Sequence, residues 1–313
     1  MKYYFAPLEG ITGYLYREIH HKHYPGLDRY YAPFVVTRDG GIMKKKELRD
    51  ILPENNPGIT LIPQILTNDA DNFLRASESM YALGYDQVNL NLGCPSGTVT
   101  GKGRGSGFLK WENRHKLETF LEKIFRETEG KISIKTRIGW DDPEEFTKIL
   151  ELYRQFPICE LIIHPRTRTE MYQPGVHREC FDEAYEQMDC PLCYNGDLAT
   201  SQDVAQIEER YPDLPAVMIG RGLLSDPAMV ARMQGRDCSK DRLWDFYQDI
   251  FHAYRQELSG DTHLLQKMKE LWIFMAPQFC EYEKYLKKIK KSHKLAEYEV
   301  VVAQLFEQPL ITE

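Results

Sequence analysis

The chain predicts an α/β fold: a parallel (β/α)₈ TIM barrel followed by an all-helical C-terminal domain. Three observations predict it. Short apolar runs recur eight times, at 3–7, 29–35, 59–66, 87–92, 132–137, 161–164, 192–195 and 216–219. Helical patterns fill most of the gaps between them, which is the alternation of a barrel rather than of an antiparallel sheet. After Gly235 the strand pattern stops and only helical patterns continue.

The first run is followed by a helix predicted over 13–21 behind a Thr12 cap, and the third by one over 72–83 behind Asp69. The helix over 114–129 carries an apolar stripe at Leu117, Phe120, Leu121 and Ile124. Helices over 143–155, 181–188, 202–211 and 227–233 complete the alternation, and the stretch 36–52 is the least regular of the series. Beyond the barrel, 241–258, 263–275, 280–291 and 295–306 read as successive helices without an intervening strand. The expected division is a catalytic barrel over 1–235 and a helical domain over 236–313.

Composition narrows the class. With 313 residues and a hydrophobic fraction of 42%, the chain can bury a large barrel core and a smaller one beside it. A net charge of −7 and a pI near 5.8 argue against a globally basic nucleic-acid binder, so any such role needs a local basic face. Seven scattered cysteines, an odd number, fit free thiols in a reducing compartment. Cys190 and Cys193 form a lone C-x-x-C inside an apparent strand, expected to be core rather than metal ligands, and no metal is expected. The chain enters a strand within two residues of Met1 and no apolar run reaches membrane-spanning length, so a cytoplasmic protein without a membrane partner is expected.

Barrels of this class carry their chemistry at the carboxyl ends of the strands. Polar residues gather there in this sequence: Pro7-Leu8-Glu9-Gly10, Gln64, Asn91 with Cys94, Lys135 with Arg137, His164 with Arg166, Asn195-Gly196-Asp197, and Gly220-Arg221-Gly222. Ionisable groups converging on one barrel mouth are costly without a ligand. Cys94 stands at the end of a strand whose alternation, Val88, Leu90 and Leu92 against Asn89 and Asn91, gives one apolar and one polar face. The glycine-rich run that follows, to Gly107, holds Lys102 and Arg104 and reads as a flexible basic loop, a candidate lid. Glycines 196, 220 and 222 beside Arg221 suit a phosphate. Lys135 would stabilise negative charge on a ring system near the barrel centre, as a reduced flavin requires.

These segments resemble the tRNA-dihydrouridine synthase family. The resemblance rests on Ala6-Pro7-Leu8-Glu9-Gly10, Asn91-Leu92-Gly93-Cys94-Pro95-Ser96, Lys135-Thr136-Arg137-Ile138-Gly139-Trp140 and His164-Pro165-Arg166-Thr167-Arg168. It continues through Tyr172-Gln173-Pro174-Gly175, Tyr194-Asn195-Gly196-Asp197 and Met218-Ile219-Gly220-Arg221-Gly222. Two departures are Leu8-Glu9, where many members have Met and Ala, and Gly97-Thr98, where a basic pair is common.

The resemblance implies an FMN enzyme that uses NADPH to reduce the C5=C6 bond of a uridine in tRNA. Pro7, Leu8, Glu9, Gln64, Lys135, His164, Asn195, Gly196, Asp197, Gly220 and Arg221 would hold the flavin. Asn91 and Arg166 would face the base, with Arg137, Arg168, Lys102 and Arg104 on the substrate side, and Cys94 would be the catalytic acid. The chemistry agrees: C6 of uracil accepts hydride because the double bond is conjugated to the C4 carbonyl, and a protonated thiol can deliver the proton to C5. The base must also leave its stacked context.

The RNA contact is expected in the helical domain. Residues 284–294 hold six lysines, one histidine and no acid, with Lys287, Lys288, Lys290 and Lys291 the main candidates. Lys267 and Lys269 beside Trp272 are second candidates. No protein partner is expected, and a monomer. Two other readings stay open on residues alone: a flavin barrel acting on a free pyrimidine, and a tRNA-binding protein without catalysis.

Overall fold

The computed structural model of the chain describes residues 1–37 and 43–311. Its strands are β1 (Lys2–Phe5), β2 (Arg29–Tyr31), β3 (Val35–Val36), β4 (Leu61–Ile62), β5 (Gln64–Leu66), β6 (Gln87–Leu92), β7 (Lys131–Arg137), β8 (Leu161–His164), β9 (Leu192–Tyr194) and β10 (Ala216–Ile219). All pairs of these strands are parallel. β1 lies between β10 and β2, and β5 to β10 follow one another in order. The ring closes because β2 pairs with β4 and β3 pairs with β5, so both ends of the sheet meet in the same two physical strands.

Eight expected strands thus become ten segments, and proline explains the breaks. Pro63 separates β4 from β5 and Pro33 lies between β2 and β3; neither can donate to a ladder. Along β6, Val88, Leu90 and Leu92 join the large core under the surrounding helices, while Asn89 and Asn91 point into the barrel. The polar face of this strand therefore meets other buried polar groups. The lumen is filled by Tyr4, Tyr31, Ile162, Met218 and Cys193, the last fully buried.

The helices are α1 (Tyr14–His23), α2 (Lys45–Ile51), α3 (Ala70–Ala82), α4 (Gly97–Thr100), α5 (Arg114–Glu127), α6 (Glu145–Tyr153), α7 (Arg178–Gln187), α8 (Ser201–Arg210), α9 (Arg221–Ser225) and α10 (Met229–Met233). Asp69 caps α3 as expected, accepting from Asn72 N–H at 2.8 Å. Thr12 does not cap α1, whose N-cap is Gly13; its hydroxyl instead accepts from Leu8 N–H at 2.8 Å and ties the turn after β1. In α5, Leu117, Phe120, Leu121 and Ile124 are all buried, as their spacing predicts. Of the stretch 36–52, part falls on 38–42, outside the described residues, and α2 covers only Lys45–Ile51.

Helices α11 (Lys240–Glu257), α12 (Asp261–Met275), α13 (Tyr282–Lys291) and α14 (Leu295–Phe306) form the C-terminal region. Trp272 is fully buried there and donates to the Tyr298 hydroxyl at 2.7 Å, so it is a core residue and offers no ring to a ligand beside Lys267 and Lys269. α11 docks on the barrel through Phe246, whose ring meets Tyr24 edge-on at 5.3 Å and Tyr16 at 5.9 Å. One continuous buried cluster runs from the barrel helices into this region.

Candidate active site

A relay of buried amides holds Cys94. Ser133 Oγ accepts from Asn89 Nδ2 at 2.9 Å, Asn89 Oδ1 accepts from Gln64 Nε2 at 2.7 Å, and Gln64 Oε1 accepts from Asn91 Nδ2 at 2.7 Å. Asn91 Oδ1 then receives the backbone N–H groups of Gly93 at 3.0 Å and Cys94 at 2.9 Å. The register of β5 against β6, Gln64 opposite Asn89, makes this relay possible. Each amide satisfies its neighbour, so the network fixes the loop without orphaned groups.

The glycine-rich segment behind Cys94 is built rather than slack, contrary to its expected flexibility. It forms α4 and a 3₁₀ segment, Gly105–Leu109, whose five residues are buried. Ser106 donates its N–H (3.1 Å) and its hydroxyl (2.9 Å) to the Cys94 carbonyl. Gly105 has φ +55°, and a Cβ there would stand 2.8 Å from that same carbonyl oxygen. Gly105→Ala is therefore expected to shift Cys94 and lower the unfolding free energy by about 1–3 kcal/mol, the scale of one strained backbone site. Thermal melting together with an activity assay checks this; an unchanged melt with full activity would contradict it.

Arg137, almost fully buried, staples three segments: Nε donates to Gly93 O at 3.0 Å, Nη1 to Thr167 O and Nη2 to Met171 O, both at 2.7 Å. Burial pushes its guanidinium pKa down to about 10. Burial likewise raises the Cys94 thiol above its ordinary value, outweighing the nearby Arg137 and Lys135 charges, so the sulfur carries its proton at neutral pH.

Beside Cys94 a cleft of about 510 Å³ opens at the strand ends, lined by Pro7, Leu8, Lys135, His164, Asn195, Gly196, Asp197, Gly220 and Arg221, with Tyr172. Nine residues expected to hold a cofactor thus share one wall. Lys135 has no hydrogen-bond or ion-pair partner among the described residues, and burial and the Arg137 charge push its pKa down to about 8. His164 is held well below its usual value by burial and by surrounding cations. Its Nε2 lies 2.9 Å from Arg166 Nη1, which can only donate, so Nδ1 carries the ring proton. Arg166 also donates to Gln173 O at 2.9 Å and to Asp197, and Arg221 approaches Asp197 at 3.5 Å. Asn195 Nδ2 donates to Met218 O at 2.7 Å. The N–H groups of Gly196, Asp197 and Leu198 make no hydrogen bond among the described residues. The free N–H groups of residues 196–198, the unpaired Lys135 and the His164 Nδ1–H fit an anionic ligand rich in acceptors.

The remaining expected residues are elsewhere. Gln64 is fully buried in the amide relay, and Glu9 lines a neighbouring cavity of about 580 Å³ bounded by α2, α11 and α12. Lys102 is exposed and Arg104 half-buried, both beside Asn68. Arg168 sits over the Trp140 ring at 4.7 Å. Lys267 donates to Gly10 O and ties α12 to the turn after β1. Lys287, Lys288, Lys290 and Lys291 are exposed on α13, whose buried face is Tyr285 and Ile289. Ile273 and Phe274 of α12 line the main cleft, which the sequence did not signal.

A family model described as dihydrouridine synthase (Dus) matches residues 4–308. The chain belongs to the dihydrouridine synthase family. It is 29% identical to the tRNA-dihydrouridine(16) synthase of Shigella flexneri over 301 residues, covering 90% of this chain and 91% of that one. It is 28% identical to tRNA-dihydrouridine synthase B of Pasteurella multocida over 230 residues, 73% of this chain and 68% of the relative. Among solved structures, morphinone reductase superposes with TM-score 0.54 at 11% identity, over 76% of this chain and 87% of that one. The old yellow enzyme homologue from Zymomonas mobilis gives 0.53 at 13%, over 75% and 88%. These likenesses establish the barrel. In this dihydrouridine synthase, α12 completes the cleft by bringing Ile273 and Phe274 to the strand ends.

Proposed function

We propose that this protein is a tRNA-dihydrouridine synthase that binds FMN, is re-reduced by NADPH and reduces the C5=C6 bond of one uridine in tRNA. The single observation that carries the reading is the meeting, at one barrel mouth, of the Cys94 thiol with a cleft holding an unpaired Lys135 and the free N–H groups of Gly196, Asp197 and Leu198. Relatives named as tRNA-dihydrouridine synthases support the substrate class.

The donor set fits FMN. Gly196, Asp197 and Leu198 N–H groups and Arg221 would take its phosphate, and Lys135 and the His164 Nδ1–H would meet the acceptor edge of its ring. When bound and reduced, the flavin supplies the hydride. The protein supplies the rest. Cys94, held by the Asn91 relay and by Ser106, gives its proton to C5 of the base. Asn91 and Arg166, expected to face the base, would shape its site from behind, Asn91 by holding the Cys94 backbone and Arg166 by bracing His164 and Asp197. The helical region 236–313 grips the tRNA body through the exposed lysines of α13.

The reading is tested by incubating the protein with FMN, NADPH and unmodified tRNA and mapping uridines that gain two hydrogens by mass spectrometry. One modified position is expected; no modification, or reduction of free uracil instead, would overturn it. Changing Lys287, Lys288, Lys290 and Lys291 to Gln together is expected to weaken tRNA binding. The slope of log affinity against log salt should flatten by about 0.7–0.9 for each phosphate no longer neutralised. An unchanged salt titration would remove α13 from the interface.

A further inference from the structure

A ladder of cations and indole rings on the barrel rim takes no part in the reaction proposed above. It starts at Arg168, whose Nη2 donates at 3.3 Å to Thr100 Oγ1 in the segment behind Cys94. The Arg168 guanidinium and the Lys110 ammonium lie 4.7 and 4.4 Å from the centroid of the Trp140 ring. Next along the chain, Trp111 holds Arg114 at 5.0 Å and Lys148 at 4.5 Å. Three separate stretches of chain supply these groups: the loop before α5 with its first residue, the end of β7 with α6, and the loop after β8.

The position is informative. The C-terminal helices lean on α1 and α9, which follow the first and last barrel strands, whereas α5 and α6 follow the fourth and fifth. In an eight-stranded ring these are opposite sides. The ladder therefore faces the helical region across the mouth that holds Cys94.

Its chemistry favours an unpaired nucleotide. Trp111 remains 49% exposed although two cations flank it, so part of its ring is open to stacking. Arg114, Lys148 and Arg168 have no carboxylate partner among the described residues, and only Lys110 has one, Glu112 at 3.5 Å. Arg168 Nε is buried without a hydrogen bond among the described residues. Charges held by rings rather than by acids stay available to phosphate, and an indole among them offers a face to any base.

We propose that this rim is a second RNA-binding surface, on which a base near the target stacks on Trp111 while adjoining phosphates meet Lys110, Arg114 and Lys148. The inference rests on the reading of the protein as an RNA-modifying enzyme. With the α13 lysines it grips the substrate from both sides of the mouth.

The test is the affinity of the full-length, FMN-loaded protein for unmodified tRNA, in wild type, Trp111→Ala, Trp111→Phe and the double variant Arg114→Gln/Lys148→Gln. Trp111→Ala is expected to raise Kd about tenfold or more, the scale of one base–aromatic stack, with Trp111→Phe near wild type. The double variant is expected to flatten the salt dependence by about 0.7–0.9 for each phosphate it no longer neutralises. Flavin content and melting temperature should be unchanged throughout, since these side chains are exposed. Wild-type affinity and wild-type salt slope in the Ala and double variants would overturn the proposal, and leave the surface to a protein partner. A wild-type protein that neither binds nor modifies tRNA would overturn the underlying reading, and this inference with it.

Discussion

Replacing Cys94 by alanine is expected to leave flavin binding intact and to slow dihydrouridine formation by about 10²–10⁴-fold, the range for losing a positioned general acid. Cys94 is not among the nine expected flavin-holding residues that line the cleft, so flavin binding is expected to survive its loss. Its backbone, not its sulfur, carries the hydrogen bonds to Asn91 and Ser106, and alanine keeps them. Burial raises the thiol pKa, so the acid form prevails at neutral pH and the proton-dependent rate falls only as pH climbs through the thiol's own value. The alanine variant should lose that alkaline limb. Flavin absorbance of the purified variant and its rate against pH check both parts; a variant with wild-type rates would end the assignment of Cys94 as acid.

Lys135→Met is expected to weaken FMN binding by about 10–100-fold, the scale of one charge-assisted hydrogen bond. Burial and the neighbouring Arg137 hold the pKa of the free ammonium at about 8 against an ordinary 10.5. Wild-type affinity for the anionic cofactor should therefore fall as pH rises through about 8, and the methionine variant should show no such step. The flavin-free protein gives a second readout. Between pH 8 and 10.5 the unfolded chain holds a proton on Lys135 that the folded chain has lost, so this group's contribution makes stability rise with pH across that window. Flavin titrations and melts at several pH values check the pair; identical pH profiles in wild type and variant would contradict it.

Much of this site is legible in the sequence because it depends on order along single strands. The two-residue period of β6, closed by Gly93-Cys94-Pro95, marks a polar strand end, and the structure keeps its bounds unchanged at Gln87–Leu92. The cluster of donors at the ends of β7 to β10 is legible for the same reason. What depends on neighbouring strands is not. The family resemblance makes Gln64 a cofactor contact, whereas both ends of its amide are engaged by Asn89 and Asn91, a pairing fixed only by register. The glycine run reads as slack because glycine frees the backbone. Gly105 and Gly107 instead admit close packing, where a Cβ would lie 2.8 Å from Cys94 O and 2.7 Å from Thr100 O. Trp272 looks available beside two lysines, but its helix turns it into the core. Ile273 and Phe274 reach the cleft from a helix far along the chain, and no local pattern announces that.

The most direct measurement is an anaerobic single turnover, in which the bound flavin is reduced, excess NADPH is removed and unmodified tRNA is added. Flavin reoxidation and dihydrouridine formation should proceed together, one product per flavin, in the wild type, and both should stall in Cys94→Ala with the flavin still bound. Flavin that stays reduced with tRNA but is reoxidised by a free pyrimidine or a small enone would contradict the account.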